Sequence, residues 1–341
     1  MRSRLCGTGF LACPERSRGV SPVFRLIAVL LCGSAIVLAA PAPAAQPPAR
    51  AVAITIDDLP AAGAASMSAA AITEMTTKLL GTLRDQKVPA IGFVNEIKVY
   101  KPGEIDQRVN ALKMWLDDGF ELGNHTFSHT SLNKAGLQAW EDDVIQGEPV
   151  LKLLLSQKNQ KLQYLRHPYL DTGRDLKTRR DAEAFLSARG YRVAPITMDA
   201  WDWYFAGVYD EARRRGDSAL ESEIVRSYLS YSDAVFAYCE QLSRQTVGYE
   251  PKQILLLHAT QLEADHIGEL IALLRKRGYS FITLDEALED PAYGLPDTYV
   301  GEEGRGWLEH WAITQGKPPQ GAPEFPKWVV EKAKEFGQAP Q

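Results

Sequence analysis

Three times in this chain a helix-like stripe of apolar residues is closed by a glycine, and an apolar run follows within a residue or two: at Gly119, Gly190 and Gly278. A glycine just past a helix accepts the left-handed turn that ends it, so this punctuation marks repeated helix-to-strand connections. The helical patterns before these glycines cover residues 105–118, 176–189 and 262–277. Another, 68–86, sets Ile72, Met75, Leu79, Leu80 and Leu83 at helical spacing, with Ser66 or Ser68 suited to cap it. The strand-like runs are 51–56, 90–94, 120–122, 163–165, 191–198, 253–257 and 279–284. Several are short and nearly all apolar, as parallel strands covered on both faces should be. Strands alternating with helices call for right-handed crossovers in a closed barrel or an open doubly wound sheet. The first run enters Asp57-Asp58-Leu59-Pro60 instead of a glycine-rich phosphate loop, which removes the usual ground for a dinucleotide-binding sheet.

Two regions depart from this alternation. Residues 203–251 form a long insertion before the sixth strand, read as one barrel helix over about 220–245 with a long lead-in. Residues 291–341 are rich in Pro, Gly and Trp and are expected to pack on the barrel as a C-terminal extension. At the other end, Arg25 precedes the apolar run 26–40, followed by Ala42-Pro43-Ala44-Ala45. That run is short for a membrane span and right for a signal-peptide core with cleavage after Ala44; the competing reading is an uncleaved anchor. Residues 1–44 are therefore taken as a signal peptide, 45–50 as a linker and 51–290 as the main domain. The protein is expected to be exported, periplasmic or secreted, with no stable membrane insertion after cleavage. The leader carries five Arg and one Glu, so losing it takes the net charge from −5 to −9. Nucleic acid is a disfavoured partner for so acidic a chain. Cys239 would then be the only cysteine, unable to form an internal disulfide and read as a buried apolar residue.

In a (β/α) barrel the loops after the strands form the active site. The residues there are Asp57-Asp58 after the first strand, Asn124 to His129 after the third, and Arg166-His167-Pro168-Tyr169 after the fourth. Asp199-Ala200-Trp201-Asp202-Trp203 follow the fifth and His258 ends the sixth. Four of the six histidines of the chain fall in these turns. One carboxylate and two imidazoles make a common ligand set for a catalytic divalent ion. His125 and His129, four residues apart, meet if the segment curls helically; Asp57 or Asp58 can supply the carboxylate. Adjacent aspartates on an extended strand point to opposite faces, so one is expected to bind metal and the other to act as a base. Arg166 is a candidate to orient that base. His258, ending an apolar run, is expected to be partly desolvated, with Asp199 or Asp202 available to raise its pKa and make it an acid. The aromatics Trp201, Trp203, Tyr204 and Phe205 could wall an apolar pocket, stack on sugar rings or serve as packing.

In order along the chain, these pieces resemble the five motifs of the polysaccharide deacetylase family, also known as carbohydrate esterase family four. The motifs are Thr55-Ile56-Asp57-Asp58-Leu59-Pro60, His125-Thr126-Phe127-Ser128-His129, Arg166-His167-Pro168-Tyr169, Asp199-Ala200-Trp201-Asp202-Trp203 and Leu256-Leu257-His258. The resemblance, over about residues 51–290, implies a distorted (β/α)7 barrel. It also implies Asp57 as general base and Asp58, His125 and His129 as ligands of a divalent metal, zinc by default. Arg166 would orient Asp57, and the Tyr169 N–H would hold the oxyanion. Asp202 would tune His258, the general acid, while Trp203 and Leu256 line the acetyl pocket. The implied substrate is an N- or O-acetylated carbohydrate. A hydrolase of a non-sugar C–N bond and a catalytically silent sugar-binding protein of the envelope are the alternatives. The sequence departs from the family pattern at Leu59, where glycine is usual and added bulk near the metal is expected, and at Ala259, where a polar residue is usual.

Overall fold

The structure, a computed structural model, describes residues 50–337. The leader 1–44 and most of the linker 45–50 lie outside the described residues. The strands are β1 (Ala51–Leu59), β2 (Ala90–Val94), β3 (Glu121–Asn124), β4 (Tyr164–Leu165), β5 (Arg192–Val193), β6 (Met198–Asp199), β7 (Gln253–His258) and β8 (Ser280–Ile282). Helices α1 (Ala69–Asp85), α2 (Ile105–Asp117), α3 (Leu132–Ala135), α4 (Leu137–Gln146), α5 (Pro149–Ser156) and α6 (Leu176–Ala188) occupy the first half. They are followed by α7 (Asp202–Arg215), α8 (Ser218–Thr246), α9 (Gln261–Lys276), α10 (Leu284–Leu288), α11 (Trp307–Thr314) and α12 (Lys327–Glu335).

The sheet order is β5-β4-β3-β2-β1-β7-β6, every pair parallel, with β8 beside the start of β1. The ends of this order are adjacent in sequence. The run 191–198, expected as one strand, is two: Arg192–Val193 pairs with β4, and Met198–Asp199 pairs with β7. Between them Pro195 has no N–H to give a ladder. The bent segment bridges both neighbours, Ala194 N–H donating to Leu165 O (2.8 Å) and Thr197 N–H to Ile254 O (2.9 Å). The result is a distorted (β/α) barrel closed through a kink.

Period-two alternation sorts the side chains. Ala53 of β1, Ile91 and Phe93 of β2, Tyr164 of β4 and Ile254 of β7 form one apolar cluster. Their neighbours Val52, Ile54, Ile56, Val94, Leu255 and Leu257 join the larger cluster with the helices. Thr55 and Asp57 continue the first set on β1, as Leu256 and His258 do on β7, and the register pairs Thr55 with Leu256 and Asp57 with His258. The base and acid candidates thus stand side by side at the C-terminal end of the barrel's inner face.

The insertion is two helices, not one with a lead-in. α7 starts at Asp202 and stops at Gly216 (φ 70°), and Asp217 caps α8 by accepting from Leu220 N–H (3.0 Å). Cys239 is buried on α8, where burial pushes its thiol pKa up, as a packing residue's would be. Leu59 is also buried: a Cβ on Gly92 would lie 2.4 Å from its side chain, which belongs to the same cluster as Trp115. The bulk expected near the metal goes into the core instead.

Candidate active site

Asp58 is the first departure from a regular strand. Its φ is 72°, and the β1–β2 register shifts between Ile56 and Leu59. This turn overrides the opposite-faces expectation. Asp57 Oδ2 lies 3.5 Å from His125 Nε2 and Asp58 Oδ1 lies 3.8 Å from His129 Nε2, so both carboxylates reach the histidine pair. Asp58, His125 and His129 each offer a ligand atom, all within 4.8 Å of one another.

The histidines converge without a helix. Residues 125–130 form a loop in which Thr126 (φ 64°) and His129 (φ 63°) are left-handed. Buried polar side chains hold it. Asn124 Oδ1 accepts from Thr126 N–H (2.7 Å), and Asn95 Nδ2 donates to His125 O (2.6 Å). Thr126 Oγ1 accepts from Thr130 N–H (3.1 Å), and Asp143 accepts from Ser128 N–H and Oγ–H (3.0 and 2.7 Å).

These residues fit a metal. His125 Nδ1 lies 2.9 Å from the Arg166 carbonyl, so Nδ1 carries the proton and Nε2 keeps its lone pair for a cation, the usual outer support of a metal-bound imidazole. Burial lowers the pKa of His125 well below the ordinary value; burial also lowers His129, partly offset by Asp58. Both rings are therefore held neutral, the form in which an imidazole can ligate a cation. Burial alone would raise Asp58, but the Lys98 ammonium leads the groups that hold it well below the carboxylate range. Ligand bonds of about 2.1 Å put donor atoms roughly 3–4 Å apart, which small side-chain shifts would achieve here. The Lys98 ammonium, 2.8 Å from Asp58 Oδ1, already places a positive charge at this carboxylate.

Asp57 is held from below by Arg166, which is fully buried inside the barrel, so its partner is not a surface ion pair. Arg166 Nη1 lies 3.3 Å from Asp57 Oδ2; Nη2 donates to Thr55 Oγ1 (2.9 Å) and Nε to Ala194 O (2.8 Å). The guanidinium also sits 4.9 Å from the Phe93 ring centre. Burial raises the Asp57 pKa to about 6, with Arg166 opposing the rise. Asp57 Oδ1 has no hydrogen-bond partner among the described residues, so one oxygen is left to receive a proton.

Beside Asp57 on the neighbouring strand, His258 is gripped twice by Asp202 at the start of α7. Its Oδ2 accepts from His258 N–H (2.7 Å), and its Oδ1 lies 2.8 Å from Nδ1. Burial lowers the His258 pKa, but Asp202 outweighs it and the value rises to about 10. Asp199, the other candidate partner, instead accepts from Trp201 N–H (2.8 Å). Leu256 is buried on the inner face, in register with Thr55 and Asp199. Trp203 is half-buried in the first turn of α7, 5.1 Å from the Tyr204 ring. The other aromatics are largely packing: Trp201, Tyr204 and Phe205 surround Phe325 of the tail at 5.5, 5.1 and 4.9 Å. Tyr169 is half exposed, and its ring meets His129 edge-on at 4.4 Å.

Sequence reasoning missed Asn95, Lys98 and Asp143. Asn95 stands at the end of β2, where a polar residue closing an apolar run is the same signal that marked the other strand ends. Lys98 and Asp143 lie in a short 3-10 turn and a surface helix and carry no local signal.

The fold and the site together define a (β/α)-barrel protein with a carboxylate–imidazole cluster beside the Asp57–Arg166 and His258–Asp202 pairs. The polysaccharide deacetylase family model matches residues 44–186, and the chain is similar to that family over this stretch. Among solved structures it is similar to a family 4 carbohydrate esterase from Streptomyces lividans in complex with acetate (17% identity, 71% of this chain, 97% of that one, TM-score 0.45). It is also similar to a polysaccharide deacetylase from Bacillus cereus (15%, 69% and 91%, TM-score 0.46) and to a family pseudoenzyme from Bacillus anthracis (18%, 71% and 66%, TM-score 0.45).

Proposed function

We propose that this protein is a metal-dependent deacetylase that hydrolyses an N- or O-acetyl group on a carbohydrate. The observation that carries this reading is the convergence of Asp58, His125 and His129, next to the Asp57–Arg166 and His258–Asp202 pairs. Asp58, His125 Nε2 and His129 would hold a divalent ion, zinc by default. When bound, such an ion supplies Lewis acidity, polarising an acyl oxygen and acidifying a water. Asp57, ionised and steadied by Arg166, takes the proton from the attacking water as its oxygen bonds to the acetyl carbon. The Tyr169 N–H donates to the resulting oxyanion. His258 gives its Nε2 proton to the leaving nitrogen or oxygen as the C–N or C–O bond breaks, and Asp202 stabilises the proton on the ring until then. Acetate and the free amine or hydroxyl leave. Trp203 and Leu256 are assigned to the acetyl pocket.

Further parts of this reading are an exported protein, supported by the composition of residues 1–44, with a main domain over 51–290 and an extension over 291–341. No helix among the described residues is long and apolar enough to cross a membrane.

The test is acetate release from a panel of acetylated oligosaccharides, with metal analysis and with and without chelator. Acetate release that chelator abolishes and metal restores supports the proposal. Stoichiometric metal with activity only on non-sugar amides would replace it with the non-sugar hydrolase; sugar binding without metal or turnover would replace it with a silent binding protein.

A further inference from the structure

Tyr169 and Leu170 are consecutive non-glycine residues in the left-handed region, with φ of 57° and 58°. Each such residue is unfavourable on its own, and a pair persists only where the surroundings over-determine it. The surroundings come from residues 297–310, beyond the stretch matched by the family model and beyond every motif discussed above. Gly304 presses on this backbone: a Cβ there would lie 2.1 Å from Tyr169 O and 2.3 Å from the Leu170 carbonyl carbon. The Asp171 carboxylate accepts from Gly304 N–H and from Ser131 Oγ–H. Asn133 closes the same gap, its Nδ2 donating to Gly301 O (3.0 Å) and Glu302 O (3.2 Å) while Oδ1 accepts from Gly173 N–H (3.0 Å).

This segment is anchored at its start. Asp297 accepts two hydrogen bonds from Arg179 of α6 (2.9 and 2.7 Å) and lies 2.9 Å from His310 Nδ1 on α11. Arg179 also donates to Tyr299 O (2.8 Å), and the His310 ring is sandwiched by Tyr299 and Trp307 at 4.3 and 4.8 Å. A continuous set of contacts thus runs from α6 through Asp297 and Gly304 to the Tyr169 backbone, and from the Tyr169 ring to His129.

We propose that residues 297–304 are a positioning element of the active site, with Asp297, Asn133 and Gly304 holding the Tyr169–Leu170 turn in the conformation that presents the Tyr169 N–H to the oxyanion. The inference rests on the deacetylase reading for its catalytic consequence, though not for the contacts. It makes the C-terminal extension part of the catalytic apparatus and not a cover for it.

The experiment uses the full chain with Gly304→Ala, which adds one methyl against the turn, and Asn133→Ala, which removes the ties without adding bulk. Each is examined for steady-state kinetics, bound metal, thermal midpoint and hydrogen exchange over residues 166–173. Displacement of the N–H by about an ångström should lower kcat roughly a hundredfold, with KM and metal content near wild type. Exchange at 169–171 should rise while the rest of the barrel stays protected. If wild type releases no acetate from any substrate, the deacetylase reading fails, and the exchange data still decide whether the segment holds the turn. Unchanged exchange at 169–171 in both folded variants overturns the proposal, as does wild-type kcat in both. Loss of kcat only in proportion to loss of folded protein overturns it too.

Discussion

Replacing Asp202 with asparagine isolates the proton on His258. Burial pushes the imidazole pKa down and the carboxylate 2.8 Å from Nδ1 more than reverses that, so the value stands at about 10 against an ordinary 6.5. Asparagine keeps the shape but not the charge. It also offers a single acceptor to two donors, His258 N–H and Nδ1–H. Without the anion, burial dominates and the pKa falls to the ordinary value or below. With an upper limit of 6.5, at most about 1% of the variant is protonated at pH 8.5 against more than about 95% of wild type; at pH 6 wild type is protonated almost fully and the variant to at most about three-quarters. The loss in kcat/KM from protonation should therefore be at least about a hundredfold at pH 8.5 and far smaller at pH 6, so the alkaline limb of the profile moves down by several pH units. The stability effect has a definite sign. A raised histidine pKa stabilises the fold fully below pH 6.5, and that contribution is lost as pH rises through about 10, so the variant's destabilisation relative to wild type is largest in acid and shrinks in alkali. Acetate release measured by pH-stat or coupled assay from pH 5.5 to 10 checks the kinetic limb. A deficit of the same size at every pH would refute the reasoning, because Asp202 would then be acting on geometry alone.

Other outcomes follow from the same contacts. Arg166→Met strips a fully buried cation from Asp57, Thr55 and Ala194; it should cost about 3–5 kcal/mol in chemical denaturation and move the acid limb of kcat/KM upward, because Arg166 is what holds the Asp57 pKa down. His125→Ala should lose the metal as judged by elemental analysis, and Asp57→Ala should keep it while releasing no acetate; full metal occupancy in the first or normal turnover in the second contradicts the roles assigned. Lys98→Met removes a cation that competes for Asp58 Oδ1, and tenfold or tighter metal binding by chelator competition, about 1.4 kcal/mol, is expected. Leu59→Ala should destabilise by about 2–5 kcal/mol and leave substrate preference unchanged, since the side chain fills the space over Gly92 and not the cleft.

The fold was legible where local chemistry and tertiary structure agree. Gly119, Gly190 and Gly278 all adopt positive φ behind a helix, as their positions required. It was illegible where a single apolar run serves two neighbours. Nothing in Tyr191 to Met198 except Pro195 tells that its halves pair with strands on opposite edges, because closure is a property of the whole ring. Residues 132–156 were missed as helix for another reason: Gly136 and the Gly147-Glu148-Pro149 break cut the pattern into pieces too short for a periodic signal.

The site shows the same division at finer scale. Residue types at strand ends marked the candidate side chains, and the structure gathers Asp57, Asp58, His125, His129, Arg166, Asp202 and His258. The means of gathering them were hidden. Strand periodicity sends adjacent aspartates to opposite faces, and helical curling was the simplest route for two histidines four apart. The chain uses neither rule: left-handed Asp58, Thr126, His129 and Tyr169 turn their side chains or amides toward one point, each at a conformational cost of about 1–2 kcal/mol that buried Asn95, Asn124 and Asp143 offset for the histidine loop. Such residues leave no mark in a sequence because the left-handed conformation is imposed by partners distant in the chain. What a sequence can give is the set of side chains able to do the chemistry; how closely they meet depends on backbone turns that only the assembled barrel makes affordable.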